Sequence, residues 1–161
     1  MMVGEMTPAS RMVLFLLAAI PVTAVDLREH RIPDARVVVG LFLAAWCASR
    51  GVDFRPEEAL LGGVLGLMLF WCVHHFSRGR MGMGDVKFAS VVGAFTGAAG
   101  LCAAVFVAAV SGLAVALVLI SLDRRNAEAR IPFAPFLSLG GAAALAGRLV
   151  QWPAFLFGGV A

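Results

Sequence analysis

Long apolar runs separated by short charged gaps dominate the chain. The runs are Met12 to Val25, Val37 to Ala48, Ala59 to Phe76, Phe88 to Leu122 and Ile131 to about Gly147. The fourth run holds 35 residues without a charge. As one helix it would be about 52 Å long, far beyond a hydrocarbon core of about 30 Å. It must therefore turn back, and Thr96-Gly97-Ala98-Ala99-Gly100 is its smallest and most helix-averse stretch. The pattern predicts an all-α, polytopic membrane protein, a bundle of about six transmembrane helices. The spans fall at approximately 11–26, 35–48, 58–76, 86–97, 100–122 and 132–149, within a single membrane-embedded domain covering 1–161. Tilt or local thinning accommodates the shorter runs. Glycines such as Gly62, Gly66, Gly93 and Gly140 allow close helix contact.

Composition agrees. Of 161 residues, 61% are hydrophobic and only 14% charged, against about 25% charged in soluble domains. A water-soluble fold could not cover so much apolar surface. The net charge of +3 lies in the gaps, which makes lipid headgroups, and not nucleic acid, the expected partner. Cys47, Cys72 and Cys102 sit singly inside apolar runs without a CxxC. They are expected to be small buried side chains, with no metal site. Met12 to Ile20 followed by Val22-Thr23-Ala24 has the outline of a signal peptide and its cleavage site. Glu5 offsets Arg11 ahead of it, and an uncleaved first span is the favoured reading.

Six spans would put the gaps at 26–36, 77–87 and 123–130 on one side. Arg28, Arg31, Arg36, Arg78, Arg80, Lys87, Arg124, Arg125 and Arg130 lie there, while Arg11, Arg50, Arg55 and Arg148 lie on the other. The positive-inside tendency makes the richer side cytoplasmic.

Two acids stand out on that side. Asp26 closes the first span. Asp85 lies in Arg80-Met-Gly82-Met-Gly84-Asp85-Val-Lys87, where the fourth span begins. An isolated acid at a span end is ordinarily a solvated boundary residue. Gly82 and Gly84 change the picture, because they give room for another backbone beside the acid. Two carboxyls that meet cannot both ionise cheaply and share a proton. The ionised one then takes a proton from water while the neutral one donates to a carbonyl oxygen. Which acid plays which part is not legible, and the chemistry needs neither metal nor organic cofactor.

Asp26-Leu-Arg-Glu-His-Arg-Ile-Pro33, then Gly82-Met-Gly-Asp85-Val-Lys87, then Ile131-Pro-Phe-Ala-Pro-Phe136 resemble the ordered motifs of the type IV prepilin peptidases, the GxGD membrane aspartyl proteases. The chain's size is similar to the small peptidases of tight-adherence (Flp) pilus systems. The resemblance implies an intramembrane aspartyl endopeptidase of the inner (cytoplasmic) membrane. It would remove the basic leader of type IV prepilins or pseudopilins at the cytoplasmic face. The catalytic pair carries over onto Asp26 and Asp85, and Gly82, Gly84, Lys87, Pro33 and Asp34 fall on supporting or substrate-binding positions. Many members have Asn where this chain has Asp34, which adds a third acid near the site. Larger members carry a CxxC portion and N-methylate the mature pilin; without that portion, methylation is not expected here. A homo-oligomer is compatible with the sequence.

Two other readings use the same acids. One is a related GxGD protease with another membrane-peptide substrate. The other is a transporter or proton-relay subunit, a class that favours mid-span acids and paired halves. Among the neighbours, Lys87 is expected to anchor at headgroups or to steady Asp85. His74 and His75 are read as interfacial, and His30 as facing Asp26 if the first helix continues. Glu29 and Asp34 are candidates for the leader's positive charge, and Arg28, Arg31 and Arg36 for anionic lipid. Asp123 is read as a solvated boundary, and Trp46, Trp71 and Trp152 as an interfacial belt.

Overall fold

A computed structural model describes residues 7–29, 34–50, 54–77, 81–122 and 133–149. The described residues form five helices: α1 (Pro8–Glu29), α2 (Asp34–Arg50), α3 (Pro56–Phe76), α4 (Met83–Leu122) and α5 (Ala134–Leu149). The protein is helical and built for a membrane. Pro8–Leu27, Pro56–Phe76 and Met83–Ser121 are each long and apolar enough to cross one, and Ala134–Gly147 is a shorter apolar helix. Phe42, Phe76 and Phe106 are 72%, 83% and 69% exposed. That would be costly in water, whereas lipid solvates such side chains.

Helix starts follow local chemistry. Thr7 caps α1, its Oγ1 accepting the Ser10 N–H. Pro56 opens α3, where a missing N–H costs nothing. Pro21 lies inside α1, and Arg36 of α2 donates to its carbonyl at 3.2 Å. Arg36 thus crosses to α1 in place of the lipid contact expected of it.

Helical geometry in α4 is interrupted at Gly97, with φ 70° and ψ 175°. This is the one positive-φ glycine among the described residues and lies within the stretch where a break is expected. A side chain there would be strained. The part of α4 before Gly97 packs on α3. A Cβ at Gly62 would overlap the Gly93 carbonyl, one at Gly93 would overlap Gly62, and Gly66 lies against Ala89. The part after Gly97 packs on α5, with Gly140 against the Ala104 carbonyl and Gly112 against the Phe136 ring. The core forms where α1, α4 and α5 meet. Phe15, Val22, Val86, Phe88, Phe95, Leu137 and Leu145 are buried there, and the Phe15 and Phe95 rings meet edge to face at 5.5 Å.

Two side-chain expectations change. Only Cys47 is buried; Cys72 and Cys102 lie on the outer surface, where a thiol is as acceptable to lipid as a small apolar group. Arg11, expected as a boundary charge, is buried inside α1's first turns. Its guanidinium stacks 4.2 Å over the Phe54 ring, a contact that strengthens away from water.

Candidate active site

Asp26 lies in the last turn of α1, the end of a helix at which an acid is disfavoured. It is nevertheless buried, at 7% exposure. The fold compensates with the opposite end of α5. The backbone N–H of Ala134, the first residue of that helix, donates to Asp26 Oδ2 at 3.4 Å. The described part of the third motif, from Phe133 to Phe136, therefore has a physical role, because it carries a helix N-terminus to Asp26. Phe133 accepts the first backbone hydrogen bonds of α5, from Phe136 and Leu137 at 3.1 Å each. One turn deeper, Thr23 Oγ1 and Ser138 Oγ lie 2.7 Å apart.

Asp85 occupies the first turn of α4, the favoured end for an acid. Its N–H donates to the Gly82 carbonyl at 3.1 Å, and it is half-buried. The carboxyls of Asp26 and Asp85 lie within electrostatic range of each other. Two acids 59 positions apart in the chain are thus near enough for the charge of one to act on the other.

The glycines before Asp85 matter for space. Neither has positive φ, and Gly84 already lies in α4. Special backbone conformation is not what they supply. A Cβ at Gly82 would stand 3.4 Å from Asp85 Oδ2 and meet no other atom of the described residues within 4 Å, its chain neighbours aside, so among these residues glycine leaves that flank of the carboxyl open.

Lys87 is paired differently from both expectations. Its Nζ donates to Asp34 Oδ1 at 2.6 Å, joining α4 to α2, with the two side chains 38% and 74% exposed. Asp34 is thus occupied by Lys87, which weakens it as a free acceptor for a leader's positive charge. His74, read as interfacial, has its Nδ1 2.7 Å from the Met81 carbonyl. A carbonyl only accepts, so Nδ1 carries the proton. His74 therefore ties the end of α3 to the residue before Gly82. His75 stacks on Trp71, with centroids 5.8 Å apart. Trp46 and Trp71 are exposed. Pro33, His30, Asp123 and Trp152 lie outside the described residues, as do the side chains of Arg28 and Glu29.

Sequence reasoning gave Thr23 and Ser138 no part in the site, read His74 only as interfacial, and placed Arg11 only ahead of the first span. Their signals are contacts across the fold, which spacing along the chain does not carry. Among the described residues, no group of three or more His, Cys, Asp or Glu side chains is arranged to hold a metal ion. A groove of about 450 Å³ lies between α2, α3 and α4, lined by residues such as Leu41, Ala48, Leu60, Gly63 and Ser90. It is apolar and includes neither carboxyl.

The sequence profile of the type IV leader peptidase family matches residues 12–117. The chain belongs to this family. The matched stretch takes in both aspartates and the glycines of the second motif; α5 lies beyond it. Among curated relatives, a prepilin leader peptidase/N-methyltransferase of Burkholderia pseudomallei is 34% identical over 134 residues, 80% of this chain and 43% of the relative. One of Stutzerimonas stutzeri is 28% identical over 142 residues, 85% of this chain and 49% of the relative. One of Pseudomonas aeruginosa is 25% identical over the same length and the same shares. The chain spans about half the length of the curated relatives it matches. No solved structure matches it.

Proposed function

We propose that the chain is an aspartyl endopeptidase that removes the basic leader of type IV prepilins or pseudopilins at the cytoplasmic face of the inner membrane. Asp26 and Asp85 are its catalytic acids. The observation that carries this reading is their convergence: two separate motifs deliver carboxyls within electrostatic range of each other. Family membership supports the same chemistry.

In the proposed mechanism the pair holds one proton between its members. A water bound by both loses a proton to the ionised carboxylate as its oxygen adds to the scissile carbonyl carbon. The neutral carboxyl protonates the carbonyl oxygen. Return of a proton to the amide nitrogen breaks the C–N bond and leaves a new carboxyl end and a new amino end. The open flank at Gly82 lets the substrate backbone reach the pair.

The site's place at one membrane face follows from six crossings, with α4 forming two of them. Contacts support a reversal at Gly97. Asp26 and Phe15 of α1 meet Asp85 and Phe95 of α4, which makes α1 antiparallel to the first part of α4. The pairs Asp26–Ala134 and Thr23–Ser138 make α1 antiparallel to α5. Gly112–Phe136 and Ala104–Gly140 make α5 antiparallel to the second part of α4. On this reading the two parts of α4 run in opposite directions.

Incubating the purified protein with a co-encoded prepilin and reading the new N-terminus by mass spectrometry tests the proposal. A single cut between the basic leader and the apolar segment is expected. An intact prepilin under conditions where the protein is folded would overturn it.

A further inference from the structure

We infer that Thr23 and Ser138 are positioning residues for Asp26: their hydroxyl–hydroxyl contact fixes the rotation of α1 on α5, and through α5 the approach of Asp26 to Asp85. The inference rests on the proposed catalytic pair.

The packing route makes this contact matter. The backbone of α1 lies against α5 and α2, and it reaches α4 through side chains, with Phe15 on Phe95. At the Asp26 end, α1 is held by α5, whose Ala134 N–H donates to Asp26. That helix is seated firmly on α4, backbone to backbone at Gly140 and Ala104, with Ala134 and Leu137 fully buried. What remains is the seating of α1 on α5. Phe15 packs against Gly141 there, and two polar contacts add direction: Asp26 Oδ2 with the Ala134 N–H, and Thr23 Oγ1 with Ser138 Oγ at 2.7 Å. Thr23 precedes Asp26 by three residues and Ser138 follows Ala134 by four, so each pair shares a face of its helix. Two contacts a turn apart fix both translation and rotation. At a side-chain radius of about 5–6 Å, a 10° rotation of α1 would carry Asp26 by about 1 Å. A misplacement of that size can cost about 10²-fold in rate.

Thr23 and Ser138 are also unlike the other hydroxyls. Ser49, Ser77, Ser90, Thr96, Ser111 and Ser121 each donate to a carbonyl of their own helix, three or four residues back. That is the usual resort of a hydroxyl with no water to bond. Thr23 and Ser138 bond each other across two helices.

The test has two arms. In the first, the full-length protein in liposomes is given a synthetic peptide with a basic leader and an apolar segment. Thr23→Val and Ser138→Ala should each lower kcat about tenfold with KM within about twofold. The double variant should be no slower than either single one, and Thr23→Ser should restore the rate. Wild-type kcat in either single variant, effects that multiply in the double variant, or a loss confined to KM would overturn the inference. The second arm needs no activity. Asp26→Cys and Asp85→Cys are combined in a chain with Cys47, Cys72 and Cys102 replaced by Ala, and disulfide yield is measured after mild copper-phenanthroline oxidation. Thr23→Val should lower the yield several-fold and Thr23→Ser should return it. An unchanged yield would overturn the inference, whereas a changed yield with no peptide cleavage even by the unsubstituted protein would uphold it and end the protease reading instead.

Discussion

Asp26 and Ala134 meet across the chain: the N–H that opens α5 donates to the carboxyl near the end of α1, at 3.4 Å. One helix end has spare donors and the other carries a misplaced acid, and each supplies what the other lacks. Replacing Ala134 by Pro tests the contact. Proline fits the first position of a helix but has no N–H to give. Loss of about 1 kcal/mol of orientation at the carboxyl is expected to slow prepilin cleavage about fivefold. Helix content by circular dichroism should be unchanged. Cleavage at the wild-type rate would make the contact incidental.

Gly82→Val should act on access. The first added carbon would stand 3.4 Å from Asp85 Oδ2, and the two methyls would crowd the open flank. Steady-state cleavage should show kcat/KM reduced at least about tenfold, since peptide must pass the same flank. Thermal stability in detergent should stay near wild type, because among the described residues no atom beyond Asp85 and the chain neighbours lies within 4 Å of the new carbon.

Asp34→Asn breaks the pair with Lys87, whose members are both exposed. Such pairs contribute about 0–1 kcal/mol. The variant should remain folded and cleave within about threefold of wild type, and the small effect should shrink further in high salt. A loss as deep as that of a catalytic aspartate would move Asp34 into the chemistry.

Gly62→Val should fail in another way. The α3 backbone rests on Gly93, and a Cβ at 62 overlaps its carbonyl. Helix separation is expected to cost about 1–3 kcal/mol or more. The thermal midpoint in detergent should fall clearly, and cleavage should fall with it. An unchanged midpoint would show that the two backbones pack less closely than this contact implies.

Much of this was legible in the chain. The apolar runs give helices because no water is present to satisfy an exposed backbone, and the length of the fourth run forces a break, which Gly97 accommodates. Asp26 and Asp85 stand out because both close or open a span on the same side and Gly82 and Gly84 precede the second. Other features belong to the fold. Lys87 reaching Asp34, His74 holding the Met81 carbonyl and Thr23 meeting Ser138 depend on helix rotation. Spans without a strong polar face leave that rotation undetermined, since lipid accepts any apolar side. The burial of Arg11 escaped for a related reason: a charge near a run's end reads as a boundary, and only the packing of Phe54 over it shows otherwise.

The central claim is that Asp26 and Asp85 together perform the hydrolysis. Asp26→Asn and Asp85→Asn should be made separately, each checked for membrane insertion, and assayed for leader removal from a prepilin by mass spectrometry. Each change removes one proton carrier at nearly constant shape, so each rate should fall by at least about 10³-fold. An inserted variant of either kind that releases the leader at the wild-type rate would contradict the account.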